Sequence, residues 1–233
     1  MSSVFQRGMS WHTYLNLERD LIDVTRYVAL DKNHGGVWSE RIAQLLLLTG
    51  STVDSFFSEM RMSPCLDQFE SVIDLRQKPE AYIGDYRRVY EPIYQLSGVE
   101  LAVRYGLSEY GAIRPFLSFA CYNNPEWWID YNDVKHEFFQ NMHKGTLDNL
   151  VHALGALFAL NVLHMDSKEY LANIGLIRMG NLDTKLDYEW SMRNLWPYLK
   201  DSFIGCRTGK TIDCWATSEV FFHLFRSDPK PSS

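Results

Sequence analysis

Apolar positions recur at helical spacing through most of the first 165 residues. Tyr14, Leu17, Leu21, Val24 and Val28 fall three or four apart, which predicts a helix over 11–28 with Glu18, Arg19 and Asp20 on its wet side. The stretch 31–38, DKNHGGVW, is a turn rich in Gly and Asn. Ser39 can cap a second helix reaching residue 60, with Ile42, Leu45, Leu46, Val53, Phe56 and Phe57 on a broad apolar face. Two long helices joined by a short link want to lie antiparallel. A third helix is expected over 66–76, with Phe69, Val72 and Ile73 on one side, and the aromatic stretch 82–96 is interrupted by Pro92. The period then changes. Val99, Leu101, Val103 and Tyr105 alternate, Ile113, Phe116 and Phe119 follow a turn region at 106–111, and the pattern predicts a small β-hairpin within 98–120. Pro115 suits an edge or a strand end there.

The stretch 124–144, NPEWWIDYNDVKHEFFQNMHK, has two busy faces. Asn124 can cap a helix, Pro125 fits the first helical position, and Gly145 is a natural stop. Trp127, Tyr131, Val134, Phe138 and Met142 form one narrow apolar stripe, expected to face a core. Trp128, Lys135 and Phe139 form a second stripe, with Asn132, His136 and His143 just beyond it. An ordinary surface helix would carry solvated charge there. The aromatic second stripe predicts a homodimer with Trp128 and Phe139 near its seam. A further helix is expected up to residue 164, its apolar face holding Leu147, Leu150, Val151, Leu154, Leu157 and Phe158, its small residues Ala153, Gly155, Ala156 and Ala159 permitting close contact.

Beyond residue 165 the pattern weakens. Ser167 can cap a short helix, 188–198 is aromatic, 211–225 reads as a last helix, and 227–233 as a frayed tail. The expected fold is all-α: a helical bundle over 1–165 carrying the hairpin, then a helical extension over 166–226 packed on it.

Composition narrows the function. The chain has 233 residues, 46% hydrophobic and 22% charged, which suits a globular protein with a sizeable core. Its net charge of -6 argues against broad nucleic-acid binding while leaving room for a local basic patch. No signal-peptide pattern opens the sequence, and the longest apolar stretch, 153–163, is too short to span a bilayer. Cys65, Cys121, Cys206 and Cys214 show no CxxC spacing, so reduced cytoplasmic thiols are expected and a zinc site is not.

The segment WWIDYNDVKH, 127–136, resembles the motif helix of a bacterial group within the HEPN-like superfamily. That motif places Arg, a polar residue that is often Asn, a short spacer and then His. Asn132 and His136 match the last two, whereas Tyr131 stands at the Arg position, and Glu137 and Phe138 stand where relatives carry another Arg. The likeness extends in helix order from about residue 14 to 163. It implies an antiparallel helical bundle, often dimeric, acting on RNA or nucleotides in toxin–antitoxin or phage-defence systems. It also implies metal-independent RNA cleavage, in which a base takes the 2′-hydroxyl proton and cations stabilise the phosphate. His136 is the residue type for proton transfer near neutral pH, Asn132 shares its face one turn away, and Lys135 is the nearest cation. Tyr131 cannot supply the bidentate cation that Arg gives a phosphate.

Other candidate chemistry is weaker. Arg87 and Arg88 lie among Tyr82, Tyr86 and Tyr90, a mixture that suits either base stacking with phosphate pairing or a half-buried helix. His143 and Lys144 extend the candidate RNA- or nucleotide-binding set. His136 and His143 are two turns apart, a poor metal pair, and no metal or cofactor is expected. GCRTGKT, 205–211, is one residue short of a Walker loop. Trp190, Trp196 and Trp215 read as packing of the extension. Two functions stand open: an RNA- or nucleotide-directed HEPN-like protein, active or degenerate as a ribonuclease, and a non-catalytic module using the motif-helix face for a second copy or another protein.

Overall fold

A computed structural model describes residues 3–103, 105, 110–164, 166–167, 170–171, 177–179, 214–217 and 221–225. The chain is mostly helical. In order come α1 (Ser3–Val24), α2 (Glu40–Met60), α3 (Glu70–Gln77), α4 (Ile83–Tyr94), β1 (Leu101–Val103), β2 (Ala112–Ile113), α5 (Glu126–His136), α6 (Phe138–Asn141), α7 (Leu147–Leu163), β3 (Ile177–Met179), β4 (Cys214–Thr217) and β5 (Phe221–Phe225).

Three of the four long periodic segments are single helices with corrected ends, and the fourth, 124–144, is broken after His136. α1 begins before residue 11 and stops at Val24, where the chain turns. Glu18, expected on the wet side, is buried and accepts a 2.6 Å hydrogen bond from the Tyr14 hydroxyl. A buried carboxylate is tolerated where a donor meets it. Ser39 caps α2 as expected, its hydroxyl accepting from the Ile42 amide, and Thr146 caps α7 through the Asn149 amide. α3 starts later than expected, and Ile73 faces solvent rather than the core. The core of α7 is buried all round: α2, α1 and α5 pack against it. Gly155 on α7 meets the hairpin, where a Cβ would lie 2.8 Å from Ile113 Cδ1 and 3.1 Å from Leu101 Cδ1.

The hairpin expected within 98–120 is β1 paired antiparallel with β2, Leu101 opposite Ile113. Phe116 and Phe119 do not continue it; both are buried, at the start and the middle of a 3-10 turn over Leu117–Cys121. The last helix expected over 211–225 is replaced by β4 and β5. All pairs are antiparallel, and the sheet runs β2-β1-β5-β4-β3. The physical reason is that a short aromatic run such as FFHLF fits helix or strand alone, and the open edge of β1 supplies the partner that decides. The other expectations for 180–213 and 227–233 lie outside the described residues.

Candidate functional site

The motif segment is one helix in expectation and three pieces in the structure. Pro125, not Asn124, occupies the N-cap, and its carbonyl accepts from the Trp128 and Ile129 amides. The helix breaks at Glu137, whose φ of -137° and ψ of 66° are not helical. Two donors soften the break: the Glu137 amide and the Asn141 side-chain amide both reach the Asp133 carbonyl, each at 3.0 Å. α6 and a 3-10 turn over Met142–Lys144 then carry the chain to Gly145. That glycine packs on α2 so closely that a Cβ would lie 2.5 Å from the Ala43 Cβ. Phe138 and Met142 are only partly buried, so the apolar stripe ends at Val134.

Tyr131, at the position of the family's Arg, is 1% exposed and lies flat against α2 at Gly50, where a Cβ would sit 2.4 Å from its ring. Burial pushes its phenol up, opposed by Lys135. Trp127 fastens the helix to the end of the hairpin, its indole donating 2.8 Å to the Pro115 carbonyl. Trp128, expected at a dimer seam, is 6% exposed and stacks edge-on against Trp127 and Tyr131. A break after His136 therefore separates two fates: Trp128 joins the core, and Phe139 is 91% exposed.

The polar face of α5 is largely spent on structure. Lys144 pairs with Asp133 and lies 3.9 Å from Asp130. Hydrogen bonding to Asp133 raises its ammonium above the ordinary range, so this charge is engaged rather than free for phosphate. Asn149 on α7 donates to Asp130 at 2.8 Å and to the Lys144 carbonyl at 2.9 Å, closing a clasp between α5 and α7. Asn132 is half-buried and donates 2.8 Å back to the Trp128 carbonyl of its own helix. Lys135 and His136 are exposed, with the Lys135 ammonium 5.4 Å from the Tyr131 ring centre. His143 is exposed beside the Gln140 carbonyl at 3.1 Å.

The structure thus brings Asn132, Lys135 and His136 to the C-terminal half of α5 and Arg87 to the loop before its start, with Arg88 next to Arg87 on α4. Arg87 reaches Asn124 at 3.4 Å and covers the Tyr122 ring at 5.9 Å. Arg88 faces solvent, 4.0 Å from Asp85. Between the two ends lies the length of α5, about 15 Å by helical rise. A phosphate at His136 is out of reach of either arginine.

A second polar cluster carries no sequence signature. Its Ser63, His164 and Asp166 line a cleft of about 320 Å³ together with Phe56, Glu59 and Met62, and Cys65 follows the lining residue Pro64. Cys65, His164 and Asp166 bring one ligating atom each to within 4.8 Å of one another. His164 follows α7 directly and shares its Nδ1 hydrogen with or accepts one from the Tyr94 hydroxyl at 2.9 Å. Asp166 lies 3.9 Å from the other ring nitrogen, Nε2. Ser63 donates to Asp166 and stands 3.0 Å from the Cys65 sulfur. Arg76 holds this loop by donating 2.8 Å to the Ser63 carbonyl while pairing with Asp67 at 2.7 Å. Burial pushes the Cys65 thiol up, with Ser63 opposing and Asp166 reinforcing. The signals available were a His-x-Asp step closing an apolar helix and a Ser-Pro-Cys turn, neither meaningful without the fold.

No family model, curated protein or solved structure matches the chain. Among the described residues, no helix is long and apolar enough to cross a membrane.

Proposed function

We propose that the chain is a HEPN-like interaction module that has lost the nuclease centre of its motif helix and pairs with a second copy through the α5–α6 corner. The observation that carries this reading is Phe139, 91% exposed at the break that follows α5, close in sequence to the opposite charges of Lys135 and Glu137, which are also exposed. Exposed aromatics are the residue type that dominates interface energetics. A two-fold contact sets residue i against j and j against i, so Lys135 of each copy can meet Glu137 of the other around the two phenyl rings. Nuclease chemistry lacks support here, because the Arg position is a core tyrosine and Lys144 is clasped by Asp133. The toxin–antitoxin or phage-defence setting follows from the resemblance and belongs to the same proposal.

One observation favours a second reading: Lys135 and His136 are exposed at the end of α5 and the exposed Phe139 follows three positions on, a mixture that can take a base and its phosphate. RNA cleavage assays separate the two. General acid–base assistance is worth about 10²–10⁴-fold, so a real centre at His136 is unmistakable against His136→Ala. The module reading expects no metal-independent cleavage by the wild-type chain above the His136→Ala background. Robust cleavage lost in His136→Ala with an unchanged melting temperature establishes the ribonuclease instead.

A further inference from the structure

We infer that Cys65, His164 and Asp166 form a binding site for a divalent transition-metal ion of the zinc type, with its fourth position open to the cleft. Among the described residues this is the one place where three such donors converge. The donor set selects the ion. A thiolate with an imidazole and a carboxylate suits zinc or cobalt and disfavours magnesium and calcium, which want oxygen alone. Thiolate and carboxylate together balance the ion's two positive charges.

The geometry is close to what such an ion needs. Ligand bonds of about 2.1 Å to nitrogen or oxygen put neighbouring tetrahedral ligands roughly 3.4 Å apart. His164 Nε2 and Asp166 Oδ2 stand at 3.9 Å, and the three ligating atoms lie within 4.8 Å of one another. Small side-chain rotations close the difference. The supporting contacts also have the form that metal-bound residues use. Tyr94 occupies His164 Nδ1, which leaves Nε2 to face Asp166. The rings of Phe56 and Tyr94 meet the imidazole edge-on at 5.9 and 6.1 Å and fix its plane. Ser63 orients the carboxylate, and the turn over Pro64–Leu66 holds the cysteine.

The competing use of the same residues is a cysteine nucleophile with a histidine base. That arrangement places the orienting carboxylate on the ring nitrogen opposite the nucleophile. Here Tyr94, not a carboxylate, holds Nδ1, and Asp166 stands on the Nε2 side. The geometry gathers three donors about one point rather than stringing them in a relay. Binding converts the thiol to a metal thiolate and releases its proton to solvent. Three protein ligands and an accessible cleft leave a position for water or an exchangeable ligand, the pattern of zinc sites that act on a substrate.

Titration of the full chain with cobalt(II), anaerobically and under reducing conditions, tests the site. We expect one cobalt per chain, a near-ultraviolet thiolate-to-cobalt charge-transfer band, visible bands of a tetrahedral ion, and displacement of both by zinc. Cys65→Ser should abolish the charge-transfer band, and Cys121→Ser should leave it unchanged. Tyr94→Phe, which removes only the support behind His164, should weaken binding about 10- to 100-fold. Absence of the band in the wild-type chain, or its persistence in Cys65→Ser, overturns the site. Should Cys65→Ser fail to fold, alkylation of the wild-type chain read by mass spectrometry decides: zinc must slow iodoacetamide at Cys65 and not at Cys121, and equal labelling with and without zinc overturns it.

Discussion

At the motif helix, neighbours in sequence are sent to separate tasks. Tyr131 enters the core against Gly50, Asp130 and Asp133 clasp Lys144 and Asn149, and Lys135, His136 and Phe139 reach solvent. At the Cys65 cleft the reverse holds: Ser63 and Asp166 touch across 103 positions, and Tyr94 and His164 across 70. The first region has a recognisable pattern whose parts the fold disperses. The second has no pattern, and the fold assembles one. A motif predicts chemistry only where packing leaves its side chains free to converge.

The largest expected effect comes from restoring the family residue. Tyr131→Arg places a cation in a packed core position against Gly50, where the carboxylate that acts on the native phenol is Asp54. Asp54 meets part of that charge, and overpacking a core costs about 1–3 kcal/mol, so urea denaturation should show a loss of that size, with no gain in RNA cleavage. Cleavage appearing in a stable Tyr131→Arg protein would break the comparison, because the pocket would then be a vacant cation site.

The clasp between α5 and α7 gives a smaller, pH-dependent effect. Lys144 gains its partner on folding, so its folded pKa lies above the ordinary 10.5. The stabilisation is fully present below the unfolded value and is lost as pH rises through the folded one. Melting curves of wild type and Lys144→Met should therefore differ at neutral pH and converge only in the strongly alkaline range. A gap that is flat across that range would remove the ion pair from the account. The smallest effect belongs to His136→Ala. His136 closes α5 just before its C-cap Glu137 but is exposed and makes no core contact, and surface substitutions of this kind usually change stability by no more than about 0.5 kcal/mol, so the melting temperature should be unchanged. A clear loss would mean that His136 is structural after all.

The long helices were legible in the sequence because each carries many apolar positions at one period, as in α2 and α7. So was the β1–β2 hairpin, whose alternation is distinct from that period. The C-terminal strands were not, because Phe221–Phe225 has no preference until β1 offers an edge. Nor was the burial of Glu18, which depends on the Tyr14 hydroxyl beside it. In the candidate site, Asn132, Lys135 and His136 were readable as neighbours on a helix. The break at Glu137, which parts Trp128 from Phe139, was not, since a side chain eight positions from Asp133 helps to satisfy it. The Cys65 cluster joins two short local pieces, Ser63–Cys65 and His164–Asp166, through contacts across 70 and 103 positions, and neither piece signals it alone.

The association surface is tested most directly by charge reversal at the corner itself. Lys135→Glu and Glu137→Lys each set like charges across the two-fold contact, so each variant alone should sediment as a monomer while the wild-type chain sediments as a dimer. Mixed in equal amounts, the two should recover a dimer, because every 135–137 pair across the seam is then of opposite sign. Wild-type monomer throughout the micromolar range, or variants that dimerise alone as well as wild type does, would contradict the proposed surface.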